Sequence, residues 1–273
     1  MTLDTLLTSL KNLPDSPTMP AVFVGHGSPM NALEQNPYTK GWGKLADSLP
    51  LPKAVLMISA HWLTEGTFVH EGKMPRTIHD FWGFPKELYD LTYPCPGSPE
   101  YASAVKMLMT ESEVLSDLNW GLDHGAWVVL RHMYPEANIP VFQMSIDVAR
   151  NSEQHYALAK ALIPLRKKGV LIIGSGNLVH NLGNISWEET AQPFDWALEF
   201  DTKATELMEK GDHHSLIHHE KLGRSAELSI PTPDHYWPLI YTLALQEKDE
   251  PIAFPIQGIS HGSISMRTLR IGK

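Results

Sequence analysis

Cysteine is almost absent from this chain of 273 residues, in which Cys95 is the only copy. A single cysteine can form no intramolecular disulfide and cannot supply a cysteine-rich zinc site, so both of these devices are excluded. Such sparse use of cysteine is typical of proteins of the reducing cytoplasm, which is the location we expect.

Long apolar runs and an excess of positive charge are also lacking. Residues 54–60 and 170–173 are among the longest apolar stretches, far short of the roughly 20 residues that a membrane-spanning helix needs. Residues 1–17 contain no basic segment followed by an apolar one, so we predict no signal peptide. The formal net charge of -9 offers no basic surface for phosphate groups. We therefore expect a small-molecule partner rather than a membrane or a nucleic acid.

Short apolar runs bounded by Gly, Pro or Ser recur along the chain and are typical of buried strands. They are residues 21–24, 54–58, 141–144 and 170–173, and helical patterns occupy residues 99–108, 152–165, 194–208 and 238–246. This alternation predicts an α/β fold with a mostly parallel or mixed central sheet and helices on both faces. We expect one domain over residues 1–273, with an N-terminal extension at 1–18. Two further strands, 251–255 and 263–271, predict an antiparallel edge.

Histidine is the residue type that stands out, with 14 copies. In open α/β sheets, ligands bind beyond the carboxyl ends of the strands, where several loops converge. His26 follows the first predicted strand, His61 the second, and His180 the strand at 170–173. A single loop histidine is more often hydrogen-bonded locally than functional. Three predicted strand ends that each carry a histidine indicate that these histidines share one site.

The residues beside His26 and His61 favour defined placement of both imidazoles. Gly25 and Gly27 flank His26, so the backbone there can turn sharply without Cβ clashes. The run Ser59-Ala60-His61-Trp62 ends a predicted buried strand, and a rigid element is the best support for a metal ligand.

His180 and His235 also have informative surroundings. His180 lies about one helical turn past a glycine-rich strand end, in residues 174–181. That loop lacks the lysine and the spacing of a nucleotide-binding loop, so a phosphate site is only a weak alternative. His235 follows Pro231 and Pro233, which fix the approach of the chain to a predicted helix start.

A second group of histidines lies in a polar segment rich in Glu, Lys and Asp. Spacings of four and five residues on a helix can bind a metal, but such a segment is more often a solvated face. We therefore leave this group out of the predicted site; its members are His213, His214, His218 and His219.

With these motifs in hand, the sequence resembles the class III extradiol ring-cleavage dioxygenase superfamily, in particular its 4,5-DOPA dioxygenase-like branch. The resemblance extends over nearly the whole chain from Met19 onward, and the order and spacing of the motifs make it specific. The motifs are Gly25-His26-Gly27-Ser28-Pro29-Met30, Ser59-Ala60-His61-Trp62, Ile78-His79-Asp80-Phe81, Leu122-Asp123-His124-Gly125-Ala126-Trp127, Gly174-Ser175-Gly176-Asn177, Val179-His180-Asn181 and Pro231-Thr232-Pro233-Asp234-His235.

The resemblance implies one divalent metal ion per chain, with His26 and His61 among its ligands. His235 stands where ring-cleaving relatives carry a carboxylate, so this chain departs from the family at the third ligand. Two histidines and one carboxylate are usual for Fe(II) oxygenases, whereas three imidazoles suit zinc as readily as iron. We expect Zn²⁺ in the protein as isolated and Fe²⁺ for ring cleavage.

The resemblance also implies catalytic roles for His180 and His124. His180 matches the acid/base histidine of the family, and a fourth metal ligand is its alternative role. His124 matches a substrate-side histidine; otherwise it is a core residue bonded to Asp123 or to a backbone carbonyl. An imidazole with its ordinary pKa of about 6.5 can accept and return a proton near neutrality. Outside this set, we expect His79 and His261 on the pocket wall, and His132 and His155 in structural or exposed positions.

The implied function is extradiol cleavage of a catechol such as DOPA, between ring carbons 4 and 5, with O2 as co-substrate. Two other classes stay open. A zinc hydrolase would use a metal-activated water, but the chain lacks a His-Glu-x-x-His motif and a clear general-base carboxylate. A non-catalytic binding protein of the same fold is the other alternative, against which the presence of both His180 and His124 speaks.

Overall fold

The computed structural model describes residues 13–110, 112–188 and 191–273, so most of the predicted N-terminal extension lies outside the described residues. The strands are β1 (Ala21–Gly25), β2 (Ala54–Thr64), β3 (Thr67–His70), β4 (Arg76–Thr77), β5 (Val114–Asp117), β6 (Gly121–Leu122), β7 (Val141–Asp147), β8 (Val170–Gly176), β9 (Ile252–Ile256), β10 (Ile259–Ser260), β11 (Ile264–Ser265) and β12 (Thr268–Ile271). The α-helices are α1 (Pro37–Ser48), α2 (Lys86–Tyr89), α3 (Pro99–Leu108), α4 (His124–Met133), α5 (Ser152–Ala159), α6 (Ile163–Arg166), α7 (Asp195–Glu209), α8 (His213–Ile217), α9 (Arg224–Ser229) and α10 (Trp237–Ala244). In these described residues, no helix combines the length and the apolar character that crossing a bilayer requires.

The main sheet has eight strands in the order β5-β3-β7-β2-β8-β1-β12-β9. Its centre, from β7 to β1, is parallel. On one side β12 and β9 add the predicted antiparallel edge, and on the other β3 runs antiparallel to β7. The predicted mixed central sheet is therefore confirmed. The carboxyl ends of its parallel strands lie next to one another at the same end of the sheet.

Both faces of this sheet are covered by apolar side chains. In β1, Phe23 belongs to one core and its neighbour Val24 to the other, because successive side chains of a strand point to opposite faces. Buried residues of α3, α5, α7 and α10 fill the first core, and those of α1 and α4 fill the second. This double burial explains the unbroken apolar runs in the central strands and confirms helices on both faces.

Strand β2 is longer than predicted, and its second half carries His61. Its pairing with β7 runs to Ile58 opposite Met144 and resumes with Leu63 opposite Ile146. Four residues of β2, 59–62, thus face a single residue of β7, which is a bulge. The prediction that His61 follows the end of the strand is therefore wrong. Bulges bend a strand and re-aim a side chain, which is how β2 directs this imidazole.

Glycines in β8 let another part of the chain lie directly on that strand. A Cβ at Gly174 would stand 2.3 Å from the carbonyl oxygen of Pro238, and one at Gly176 would stand 2.1 Å from that of His235. The backbone N–H of Asn177 donates to the same His235 oxygen at 2.9 Å. The glycine-rich strand end therefore holds the segment that leads into α10, and with it His235.

Candidate metal centre

Five histidines from separate parts of the chain meet at the carboxyl edge of the central strands. His26 directly follows β1, His61 lies in the bulge of β2, and His124 is the first residue of α4. His180 follows β8, and His235 precedes α10. Neighbouring ring centroids are 3.5 Å apart for His180–His235, 3.9 Å for His61–His124, 4.9 Å for His61–His235, 5.0 Å for His26–His61 and 5.3 Å for His26–His235. The structure thus brings together every residue predicted for the site.

The Nε2 atoms of His26 and His61 face each other at 3.1 Å. The hydroxyl of Ser175 donates to the Gly125 carbonyl at 2.5 Å, which uses its only proton. Ser175 Oγ must therefore accept from Nδ1–H of His26, 3.0 Å away. A neutral imidazole has one N–H, so the Nε2 of His26 carries a lone pair toward His61.

The carboxylate of Asp80 contacts the Nδ1 atoms of His61 and His124. Its Oδ2 accepts a hydrogen bond from Nδ1 of His124 at 2.9 Å and lies 3.5 Å from Nδ1 of His61. Because a carboxylate only accepts, it favours the proton on Nδ1 of both rings. The Nε2 lone pairs of His61 and His124 are thereby left for the interior of the site.

The donor set fits a divalent metal ion. Two lone pairs that face each other at 3.1 Å repel unless a cation lies between them. Two imidazole nitrogens bound about 2.0–2.1 Å from one ion stand roughly 2.9 Å apart at a right angle and 3.4 Å apart at the tetrahedral angle. The spacing of His26 and His61 lies between these limits.

Two groups of three ligand atoms exist among the described residues. The first is His26, His61 and His124, and the second is His180, Asp234 and His235; within each group the atoms lie within 4.8 Å of one another. In the second group, Nδ1 of His235 donates to the Asp234 carboxylate. This bond leaves Nε2 of His235 as a further donor beside the first group.

The electrostatics of the site keep His26, His61 and His180 unprotonated near neutral pH. Burial, followed by the charges of neighbouring histidines, holds the pKa of both His26 and His61 well below 6.5. Burial and the charge of His235 lower the pKa of His180 to about 3, although Asp234 opposes them. Unprotonated imidazoles are the form that binds metals.

Asp123 belongs to a separate hydrogen-bond network beneath the site. This fully buried carboxylate accepts from Ser59 Oγ at 2.6 Å, from the Gln143 side chain and from the backbone N–H of Ala126, so it caps α4. Burial, with the nearby charge of Asp80, raises its pKa to about 6. The alternative in which His124 bonds to Asp123 is wrong, because the Nδ1 and the backbone N–H of His124 both donate to Asp80.

The remaining histidines have other hydrogen-bond partners. His79 and His132 bond to the carbonyl oxygens of Leu91 and Asn31. His155 is fully buried and bonds to Tyr241, which makes it structural as predicted. Of the four histidines in the segment predicted to be a solvated face, His214 is exposed, and His213, His218 and His219 are half-buried.

Sequence reasoning missed three side chains that support the site: Asp80, Asp234 and Ser175. Each bonds to Nδ1 of a site histidine. The signal for Asp234 was its place next to His235. Asp80 was visible only as part of the motif Ile78-His79-Asp80-Phe81, with nothing in the sequence to say which histidine it would meet.

Comparison with known proteins adds independent findings. Residues 20–260 match the family model described as the catalytic LigB subunit of aromatic ring-opening dioxygenase. The chain is 45% identical to 4,5-DOPA dioxygenase extradiol of Escherichia coli (strain K12), over 94% of this chain and 96% of that protein. It is 40% identical to the protein of the same name from Beta vulgaris, over 80% of this chain and 83% of the relative. The crystal structure of an uncharacterized protein from Escherichia coli K12 superposes with a TM-score of 0.82 at 40% identity, covering 93% of this chain and all of that one.

Proposed function

This chain belongs to the family of catalytic LigB subunits of aromatic ring-opening dioxygenases and is an extradiol dioxygenase. On that premise we propose its substrate, its metal ligands and the role of each histidine. The substrate is a catechol such as DOPA, opened between ring carbons 4 and 5 with O2. One divalent ion is held by His26, His61 and His235. His180 is the acid/base group, and His124 assists it.

The observation that carries the metal assignment is the pair of facing Nε2 atoms of His26 and His61. His235 completes the set because Asp234 holds its Nδ1 and its ring lies 4.9 Å from that of His61. The substrate assignment is supported by the relatives, which are named 4,5-DOPA dioxygenase extradiol.

A divalent ion held by His26, His61 and His235 would act as a Lewis acid toward the catechol oxygens and O2. The protein residues move the protons. His180 has an unprotonated ring nitrogen at pH 7, because burial lowers its pKa. We assign to this nitrogen the transfer of a proton from a catechol hydroxyl and its later return. Asp80 holds Nδ1 of His124, which leaves Nε2 of that ring to bond the substrate.

Aromatic side chains form the wall of the site next to His124. The ring of Phe81 packs edge-on against His124 at 5.8 Å, and Phe84 and Tyr89 pack on Phe81, each at 5.3 Å. This wall keeps water from the imidazoles and gives a planar aromatic substrate an apolar surface to pack on.

Metal analysis of protein purified without added metal, combined with an oxygen electrode and DOPA, tests the function. We expect zinc in the isolated protein and a rise in oxygen uptake when zinc is exchanged anaerobically for Fe²⁺. Oxygen uptake must be matched by loss of the aromatic absorbance. No uptake with any of several catechols after iron loading would contradict the proposal, and metal-dependent ester hydrolysis by the same protein would favour a zinc hydrolase instead.

We also propose that the protein works in the cytoplasm as one catalytic domain over residues 1–273. The supporting observation is Cys95, whose thiol is buried and whose pKa burial raises to about 12. Such a thiol neither pairs nor reacts readily. Cell fractionation with an antibody against the protein tests the location.

A further inference from the structure

We propose that Asp80 is a positioning residue that couples His61 to His124, so that one carboxylate sets both the metal-binding face of the first ring and the substrate-facing side of the second. The inference deepens the proposed function, on which its catalytic consequence rests.

Asp80 reaches three groups with its two oxygens. Its Oδ1 accepts the backbone N–H of His124 at 2.8 Å, and its Oδ2 accepts Nδ1–H of the same residue at 2.9 Å. The same Oδ2 lies 3.5 Å from Nδ1 of His61. The rings of His61 and His124 are themselves 3.9 Å apart. A single side chain thus bonds to the first residue of α4 and contacts the histidine in the bulge of β2.

This arrangement determines which nitrogen of each ring carries the proton. With the carboxylate present, Nδ1–H of both rings points outward and both Nε2 lone pairs point inward. Without it, each ring is free to place its proton on Nε2. In His61 that proton would face the Nε2 atom of His26, which lies 3.1 Å away. An Nε2 that carries a proton binds no metal, so the carboxylate protects the donor set.

Asp234 offers an internal comparison, because it performs the equivalent task for one ring only. Its carboxylate bonds Nδ1 of His235, and that ring stacks on His180. Loss of Asp234 should therefore disturb His235 and leave the protons of His61 and His124 in place. Loss of Asp80 should do the reverse.

The test is Asp80→Asn in the zinc-loaded protein. The amide keeps the size of the side chain but loses its charge and one of its two acceptor oxygens. We expect zinc affinity, measured by competition with a chelator, to fall about 10–100-fold, the usual effect of removing a carboxylate behind a ligand histidine. Nitrogen-15 NMR of the histidine rings, recorded on the metal-free protein where no ion holds Nε2, should show His61 and His124 losing their fixed Nδ1–H form while His235 keeps it.

Asp90→Asn is the matched control. Asp90 lies ten residues after Asp80 and is an exposed carboxylate that pairs with Lys86. This substitution should change neither readout. Asp234→Asn should alter the ring of His235 alone. Asp80→Glu keeps the charge and should restore the tautomers of both histidines, and it serves as the test on its own if Asp80→Asn does not fold.

Unchanged zinc affinity and unchanged histidine tautomers in folded Asp80→Asn would overturn the inference, as would an Asp80→Glu protein in which neither ring keeps its Nδ1–H form. Both readouts are independent of catechol turnover. If the wild type opened no catechol ring, the proposed function would fail while the test of Asp80 still stood. If it does, Asp80→Asn with full metal occupancy should lower kcat and leave KM nearly unchanged.

Discussion

The imidazole rings of His180 and His235 stack face to face, with centroids 3.5 Å apart and planes inclined by 7°. His235 is anchored by Asp234, whereas in the described residues no side-chain hydrogen bond holds the ring of His180. The stack therefore places His180 beside the proposed metal ligands and leaves its nitrogens free for substrate.

Replacing His180 by Ala should lower kcat by about 10²–10⁴-fold, which is the usual contribution of a positioned acid/base group. Substrate binding should suffer less, because the ring is needed for proton transfer and not for the apolar wall. Metal content and kcat must be measured on the same preparation, loaded with Fe²⁺. Full iron occupancy with unchanged kcat would rule out the acid/base role, and loss of iron in step with activity would make His180 a fourth ligand.

Single replacement of His26, His61 or His235 by Ala should remove most of the bound metal after dialysis and leave the protein folded. The apolar cores on the two faces of the sheet do not depend on the ion, so circular dichroism should be unchanged. His214→Ala is the control, because that histidine is exposed and lies outside the site. Full metal occupancy in each of the three variants would refute the assignment.

Gly176→Ala should weaken metal binding without touching any ligand side chain. Its Cβ would stand 2.1 Å from the carbonyl oxygen of His235, so the backbone of that residue must shift. We expect at least a tenfold loss of zinc affinity and a decrease of about 1–3 kcal/mol in the free energy of unfolding, as for other overpacked positions. Gly43→Ala in α1 is the control, since its Cβ would meet only His132 O at 3.4 Å. Equal zinc affinities for the two variants would contradict the prediction.

The free energy of unfolding should fall as the pH drops from about 6.5 to about 4, and His155 should account for part of this change. Burial is the main cause that lowers the pKa of His155 to about 4 in the folded protein, and the charge of Arg150 adds to it. In the unfolded chain the pKa is about 6.5, so over this window the unfolded state takes up the proton first. The stability is complete above the window, and the loss across it is on the order of 3 kcal/mol.

Urea unfolding at several pH values, for wild type and His155→Gln, measures this effect. The variant should lose less stability than the wild type between pH 6.5 and 4, whatever its absolute stability. His214→Gln, at an exposed position, should behave like the wild type. Parallel curves for wild type and His155→Gln would show that His155 is protonated as easily in the folded state as in the unfolded one.

The sequence predicted the central strands well, because burial on both faces leaves continuous apolar runs such as residues 170–173, which lie within β8. The short strands β3 and β5 went unrecognised. Each mixes apolar with polar residues, as in Thr67-Phe68-Val69-His70, and they are strands because neighbours pair with them. Helix α4 was missed for a different reason: it is buried on nearly all sides and lacks the polar face that makes a helical pattern visible.

Part of the site could be predicted from the rule that ligands of open α/β sheets bind beyond the carboxyl ends of the strands. That rule located His26 and His180, the prolines before a predicted helix start pointed to His235, and the motif match added His124. The bulge that aims His61 depends on a register shift against β7, which no property of β2 alone determines. Asp80 and His124 are 44 positions apart in sequence, and only the folded chain shows that they meet.

Strand β1 lies between β8 and β12, with Phe23 opposite Gly174 on one side and Leu269 on the other. Both neighbours are synthesised long after β1 leaves the ribosome, so its two edges remain open while most of the chain is being made. An apolar strand with open edges is prone to pair with other chains. Nascent chains stalled before residue 268 should therefore depend on chaperones, because β12 is not yet present to pair with the strand that leads to His26.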